Sequence, residues 1–232
     1  MTGAPTLIAA RGLVVGRRAP LLRDVDWELH AGQAWFVVGR NGSGKSSLVA
    51  TMLGLLPPLA GERAECPDLA QRLGYVPQEL QFEPPMPIAV AEFVGLAQPA
   101  AWRRDVRAAA VDEALTQLGV CDLRWRRLSA LSTGQRRRVM VAQALARRPG
   151  LIVLDEPAAN LDAVATAALA ADLDRLRRER DLCVVQVSHD LAVARRYATH
   201  IAFVHGGAVA ARAAAPSWDD PILASALEPV VS

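Results

Sequence analysis

The sequence predicts an α/β fold built on a parallel sheet, and two observations carry that prediction. Short, mostly apolar runs recur at residues 35–38, 151–154, 182–187 and 201–204, with stretches of helical spacing between them. Strands alternating with helices are the pattern of a parallel sheet, whose strands are apolar throughout because helices cover both faces. The first of these runs also feeds Gly39-Arg40-Asn41-Gly42-Ser43-Gly44-Lys45-Ser46. That segment has the G-x-x-x-x-G-K-[ST] form of a phosphate-cradling loop, and a strand before it and a helix after it are the context such a loop requires.

The remaining elements follow in order. Residues 6–15 and 25–29 read as strands, with a turn at 16–20. Residues 46–55 form the helix after the glycine loop. A short strand at 73–76 stops at Pro77, and Pro84-Pro85-Met86-Pro87 breaks the chain, because proline removes a backbone donor and restricts its neighbour. Helical spacing resumes at 90–96, 106–118 and 132–146, so 80–148 reads as a mainly helical insertion. Beyond the strand at 151–154 come helices at 161–180 and 191–197. Gly206-Gly207 then turns the chain into a last strand at 208–211. The expected organisation is one domain: a core of 1–79 and 149–212, the insertion, and a loosely packed tail at 213–232.

Composition narrows the class. A chain of 232 residues that is 52% apolar can bury a sizeable core, and its net charge of +2 carries no global field for nucleic acid. The three cysteines, Cys66, Cys121 and Cys183, form no C-x-x-C pair. That argues against a disulfide framework or a cysteine zinc site and fits a reducing cytosol. Residues 1–10 lack the charged start and apolar core of a secretory signal. The longest apolar run, 48–60, is too short and too broken to span a bilayer. The expectation is a soluble protein that reaches a membrane only through a partner.

The chain holds 25 arginines and one lysine, Lys45, inside the glycine loop. A compact ammonium on a long stem enters a nest of backbone N–H groups where a flat guanidinium does not. Residues Gly39, Arg40, Asn41, Gly42, Ser43, Gly44, Lys45, Ser46 and Ser47 are therefore the candidate nucleotide cradle. Lys45 would reach the β and γ phosphates, and the Ser46 hydroxyl would bind Mg²⁺. At the end of the 151–154 run, Asp155 and Glu156 place two carboxylates where α/β sheets bind ligands. Asp155 is the candidate Mg²⁺ ligand and Glu156 the candidate general base. Ser132-Thr133-Gly134-Gln135 opens a helix and offers a second anion site. The run Arg136-Arg137-Arg138 behind it reads as a solvated or interface face. Val139, Ala142, Gln143 and Ala146 read as the core side of the same helix.

Leu131-Ser132-Thr133-Gly134-Gln135 resembles the L-S-G-G-Q signature of ATP-binding-cassette (ABC) ATPases, with Thr133 in place of the first glycine. Tyr75-Val76-Pro77-Gln78 resembles that family's Q-loop, Asn160-Leu161-Asp162 its D-loop, and Val187-Ser188-His189-Asp190 its switch-histidine segment. The resemblance runs over about residues 7–212. It implies a P-loop NTPase with a RecA-like core, an N-terminal antiparallel β subdomain and an inserted α-helical signature subdomain. It implies ATP and Mg²⁺ as ligands and a head-to-tail dimer with a second ABC ATPase subunit. Lys45, Ser46, Gln78, Asp155, Glu156 and His189 would come from one subunit, and Ser132 and Gly134 from the other, with Gln135 a further candidate nucleotide contact. Gln78 would sense the γ-phosphate through Mg²⁺, His189 would contact that phosphate, and Asp162 would couple the two sites.

The family's adenine-stacking aromatic falls in register at Val15, which implies weaker nucleotide binding. The leading functional expectation is the energising subunit of a membrane transporter, held on the cytoplasmic face by a separate integral-membrane permease. Residues 75–94 resemble the equivalent region of importer ATPases for zinc, manganese and related metals, which implies a substrate-binding protein as a further partner. A soluble ABC ATPase of the iron–sulfur assembly type is the alternative. A regulatory module without turnover is the third reading, and Glu156 and His189 argue against it.

Overall fold

The computed structural model describes residues 4–78, 87–99, 103–159 and 161–214. In chain order the elements are β1 (Thr6–Gly16), β2 (Pro20–His30), β3 (Ala34–Gly39), α1 (Lys45–Met52), β4 (Ala60–Glu65) and β5 (Leu73–Val76). Then follow α2 (Val90–Gly95), α3 (Arg104–Gln117), α4 (Thr133–Leu145), β6 (Leu151–Asp155) and α5 (Ala163–Arg180). The chain ends with β7 (Cys183–Val187), α6 (Leu191–Tyr197), β8 (His200–His205) and β9 (Ala208–Ala213). The expected break at Pro84-Pro85-Met86, Asn160 of the D-loop and the tail beyond Ala214 lie outside the described residues. The chain divides into two compact units, Met1–Pro67 with Cys183–Ser232, and Asp68–Leu182.

In the first unit β1 pairs antiparallel with β2 on one side and β4 on the other. Ile8, Ala10, Leu13 and Val15 of β1 and Leu22, Val25, Trp27 and Leu29 of β2 are all buried, the alternation of a sheet with one wet face. Gly12 adopts φ +55° where the β1 register shifts, and its N–H donates to Asp26 Oδ1 at 2.8 Å, which stabilises the bulge. β4 reads AGERAE with no buried residue, so no apolar period betrays it in the sequence. Backbone pairing to β1 holds it, and Arg63 donates to Met52 O at 2.6 Å, neutralising a carbonyl at the end of α1, which carries no basic residue in its last turn.

The second sheet of this unit sets β3 between β7 and β8, all parallel, with β9 antiparallel at the edge of β8. β3 and β7 are nearly or wholly buried along their length. Phe36, Val38, Ile201 and Phe203 pack with Ala194 of α6 in one apolar cluster.

In the second unit β5 and β6 pair in parallel, Leu73 opposite Leu151 through Val76 opposite Leu154. α4 lies against β5 at Gly74, where a Cβ would sit 3.1 Å from Ala144 O, so a larger residue there would require the neighbouring backbone to shift by a few tenths of an ångström. Ser132 and Gln135 form a reciprocal capping box at the start of α4. Asp162 caps α5, accepting from Ala165 N at 2.7 Å, and Arg177, Arg178 and Arg180 complement the dipole at its other end.

The arginine run is not a solvated face. Arg137 is buried with 5% exposure, and Arg136 and Arg138 are half-buried. Arg138 pairs with Asp172 at 2.7 Å and donates to Leu118 O at 2.8 Å, while Arg175 donates to Gln117 O at 2.9 Å. These two guanidinium groups take up carbonyls at the end of α3, which has no basic residue of its own there. Val139, Ala142 and Ala146 are buried as expected, and Gln143 is half-buried and donates to Phe93 O.

Candidate functional site

The glycine loop belongs to the first unit. β3 ends at Gly39 with φ +153°, where a Cβ would collide with the Val204 carbonyl of β8, so only glycine lets the loop leave the sheet at that point. Gly42 and Gly44 adopt φ +76° and +102°, conformations costly for other residues. Lys45 is 7% exposed, and its Nζ donates to Gly39 O and Arg40 O at 2.9 Å each. The one lysine of the chain thus holds the loop from inside and keeps its ammonium in the nest.

Gly44 is the N-cap of α1, with no side-chain cap and no acidic residue in the first turn. The positive end of this helix is left for an anion. The Ser43 hydroxyl is buried and lacks a hydrogen-bond partner. Nothing lies within 4 Å of a Cβ built on Gly42, so there is open space at the loop. These features fit a phosphate group.

His189 is exposed and lies two residues beyond β7. Val37 pairs with Val187, and Ser188 N donates to Val37 O at 3.2 Å. His189 therefore leaves the sheet at the same end as Gly39. Asp190, beside it, caps α6 by accepting from Val193 N at 3.0 Å.

Val15 is fully buried opposite Leu22, which corrects the reading of that position as the base platform. The exposed residues of this hairpin tip are Arg17, Arg18 and Ala19. Trp27 and Trp35 are buried in β2 and β3 and pack on each other edge to face, 5.3 Å between centroids.

The acidic pair belongs to the second unit. Because β5 and β6 are in register to Val76 and Leu154, Gln78 and Glu156 emerge together at one end. Gln78 Nε2 donates to Glu156 Oε2 at 3.0 Å. Asp155 is buried at 8% exposure. Glu156 adopts φ +45°, a left-handed conformation that costs a non-glycine residue about 1–3 kcal/mol and that surrounding contacts must sustain.

Arg137 supplies those contacts. Its Nε donates to Pro157 O at 2.9 Å and its Nη2 to Asp155 O at 2.8 Å and Glu156 O at 2.5 Å. Its Nη1 donates to Pro77 O at 2.8 Å and Gln78 O at 3.2 Å. Burial pulls the Arg137 pKa down, and the carboxylates of Asp155 and Glu156 oppose that shift. The sequence does hold a signal for Arg137: it stands four residues before Val141 and eight before Leu145, both buried, so it lies on the inner face of α4.

Of the other candidates, Ser132 and Gln135 are engaged with each other in the capping box, where the Ser132 Oγ accepts from Gln135 N at 3.2 Å. A Cβ on Gly134 would meet Leu161 at an ordinary 3.6 Å. Asp162 is exposed, with its carboxylate on the α5 cap.

A strand-to-helix phosphate loop with a buried lysine, and a strand-end acid pair whose Glu156 accepts from Gln78, are the marks of a nucleotide-hydrolysing P-loop ATPase. The chain belongs to the ABC transporter family, whose model matches residues 22–159. It is an ABC ATPase. Similar curated proteins are the zinc import ATP-binding proteins ZnuC. That of Paracoccus denitrificans is 39% identical over 219 residues, 91% of this chain and 83% of its own length. That of Ruegeria pomeroyi is 38% identical over 86% of this chain and 75% of its own length. For that of Saccharophagus degradans the figures are 38%, 74% and 65%, so this chain spans just under two thirds of that relative.

Among solved structures, a bacterial ABC transporter cassette determined as a dimer superposes with a TM-score of 0.73 at 25% identity, covering 88% of this chain and 96% of that one. An inward-facing metal-chelate-type ABC transporter gives 0.81 at 24%, covering 90% and 84%, a likeness of fold. No helix among the described residues is long and apolar enough to cross a membrane.

Proposed function

We propose that this chain is the ATP-hydrolysing subunit of a divalent-metal importer, zinc being the first cargo to test. Lys45 and the Gly39–Ser47 loop hold the triphosphate, and Ser46, Asp155 and Gln78 hold Mg²⁺, which neutralises phosphate charge. Ser132, Gly134 and Gln135 of a second copy close the site head to tail, and Asp162 couples the two sites. The observation that carries the hydrolytic part is the Gln78–Glu156 hydrogen bond. It orients a carboxylate, beside the buried Asp155, that can take a proton from an attacking water. His189 then holds the γ-phosphate side of that water.

A bridge between two subunits that exists only with the triphosphate makes closure conditional on ATP, and hydrolysis releases it. This cycle drives a separate permease, which holds the chain on the cytoplasmic face of the membrane and receives metal from a binding protein. The names of the relatives support import, and the iron–sulfur assembly alternative has no such support.

The test has two parts. Glu156→Gln is expected to lower kcat by about 100-fold or more with ATP still bound, and unchanged turnover would refute the assigned base. Vesicles holding the chain with its permease should take up zinc only with hydrolysable ATP. Uptake of another solute class, or capture of a soluble scaffold in place of a permease, would refute the metal-import reading.

A further inference from the structure

All five N–H donors of one buried arginine are spent on five backbone carbonyls of two different loops. That is the full capacity of a guanidinium, and no carbonyl in the set is adjacent to Arg137 in sequence. The two loops carry the two side chains that meet, Gln78 and Glu156, and Arg137 bonds the main-chain oxygen of each. One of the two loops is also held in a left-handed turn at Glu156. The arginine stands on α4 five residues after Ser132, the cap residue of the signature.

We propose that Arg137 is a positioning residue for hydrolysis: by binding the carbonyls of Gln78 and of residues 155–157, it sets the Gln78–Glu156 geometry and ties that geometry to the signature helix. The inference rests on the hydrolytic role proposed for Glu156. A side chain that bonds only the backbone contributes no atom to the reaction. It decides where the carboxylate stands, and small displacements of a reacting group cost large factors in rate. The phosphate loop takes no part in these contacts, so nucleotide binding should persist when the carboxylate is misplaced.

The experiment compares Arg137→Lys, Arg137→Gln and Glu156→Gln with the unaltered full-length chain, reading kcat, KM for ATP and the melting temperature. An ammonium supplies three donors in place of five, so Arg137→Lys should keep the fold and lose part of the rate. The expected result is a fall in kcat of about 10-fold or more in Arg137→Gln, and a smaller fall in Arg137→Lys. KM should stay within about two-fold in both. Normal kcat in a folded variant overturns the proposal, and so does a loss in which kcat and KM move together with the melting temperature. If Arg137→Gln does not fold, the kcat-against-KM split in Arg137→Lys decides alone. If Glu156→Gln itself turns over normally, the failure belongs to the role of Glu156 and not to Arg137.

Discussion

Val15→Tyr separates two accounts of the nucleotide end of this protein. If Val15 were the base platform, a tyrosine there would tighten ATP binding by roughly 1–3 kcal/mol, the value of stacking one base on an aromatic ring. The structure implies the opposite. Val15 and its partner Leu22 both have 0% exposure, so a phenol ring has no room without displacing neighbours. Overpacking of this kind costs about 1–3 kcal/mol. The displacement also has a direction, because an atom added at Gly44 would lie 3.4 Å from Leu22 Cγ. A Leu22 pushed outward presses on the loop that carries Lys45. The expected outcome is a melting temperature lower by about 2–4 °C for each kcal/mol lost, with ATP affinity unchanged or weaker. Thermal melts and nucleotide titrations of the two proteins measure both quantities. A variant that melts normally and binds ATP more tightly would refute the reasoning and restore Val15 as the base platform.

Lys45→Arg is expected to abolish turnover although arginine is the basic residue this chain uses everywhere else. The Nζ site between Gly39 O and Arg40 O is buried and suits a point charge, and near-normal hydrolysis would sink that account. Glu113 lies between Arg148 and Arg180. Burial pushes its carboxyl up, but the hydrogen bonds from Arg148 and Arg180 outweigh it and hold the pKa below the usual 4.5. A carboxylate depressed in the folded state contributes stability that is present above the unfolded value and lost as pH falls through the folded one. Glu113→Gln should therefore be less stable than the parent at pH 6–7. The gap should narrow as acid unfolding is followed below about pH 4.5, and a gap independent of pH would refute the linkage.

The elements differ in how far their own residues announce them. β3, β6 and β7 are mostly apolar and almost wholly buried, and the glycine loop carries its conformations in Gly39, Gly42 and Gly44. Those were legible from local pattern. β4 was not, because AGERAE has no period of two and forms only against β1. The arginine run misled for a related reason: three adjacent charges resemble a wet face, yet they sit on a helix whose turns send them to different surroundings. One goes to the end of α3 and one into a cage of carbonyls.

The sequence alone determined that the chain makes a phosphate loop, a strand-end acid pair and a signature-like helix start. Each is a short segment whose backbone and side-chain chemistry are set within a few residues. Tertiary structure alone decided that Val15 is core, that Gln78 meets Glu156, and that Arg137 binds the backbone of both. These pairings depend on strand register and on which face of α4 is covered. Residues 19 to 78 positions apart are brought together by the fold, and no local pattern encodes the contacts between them.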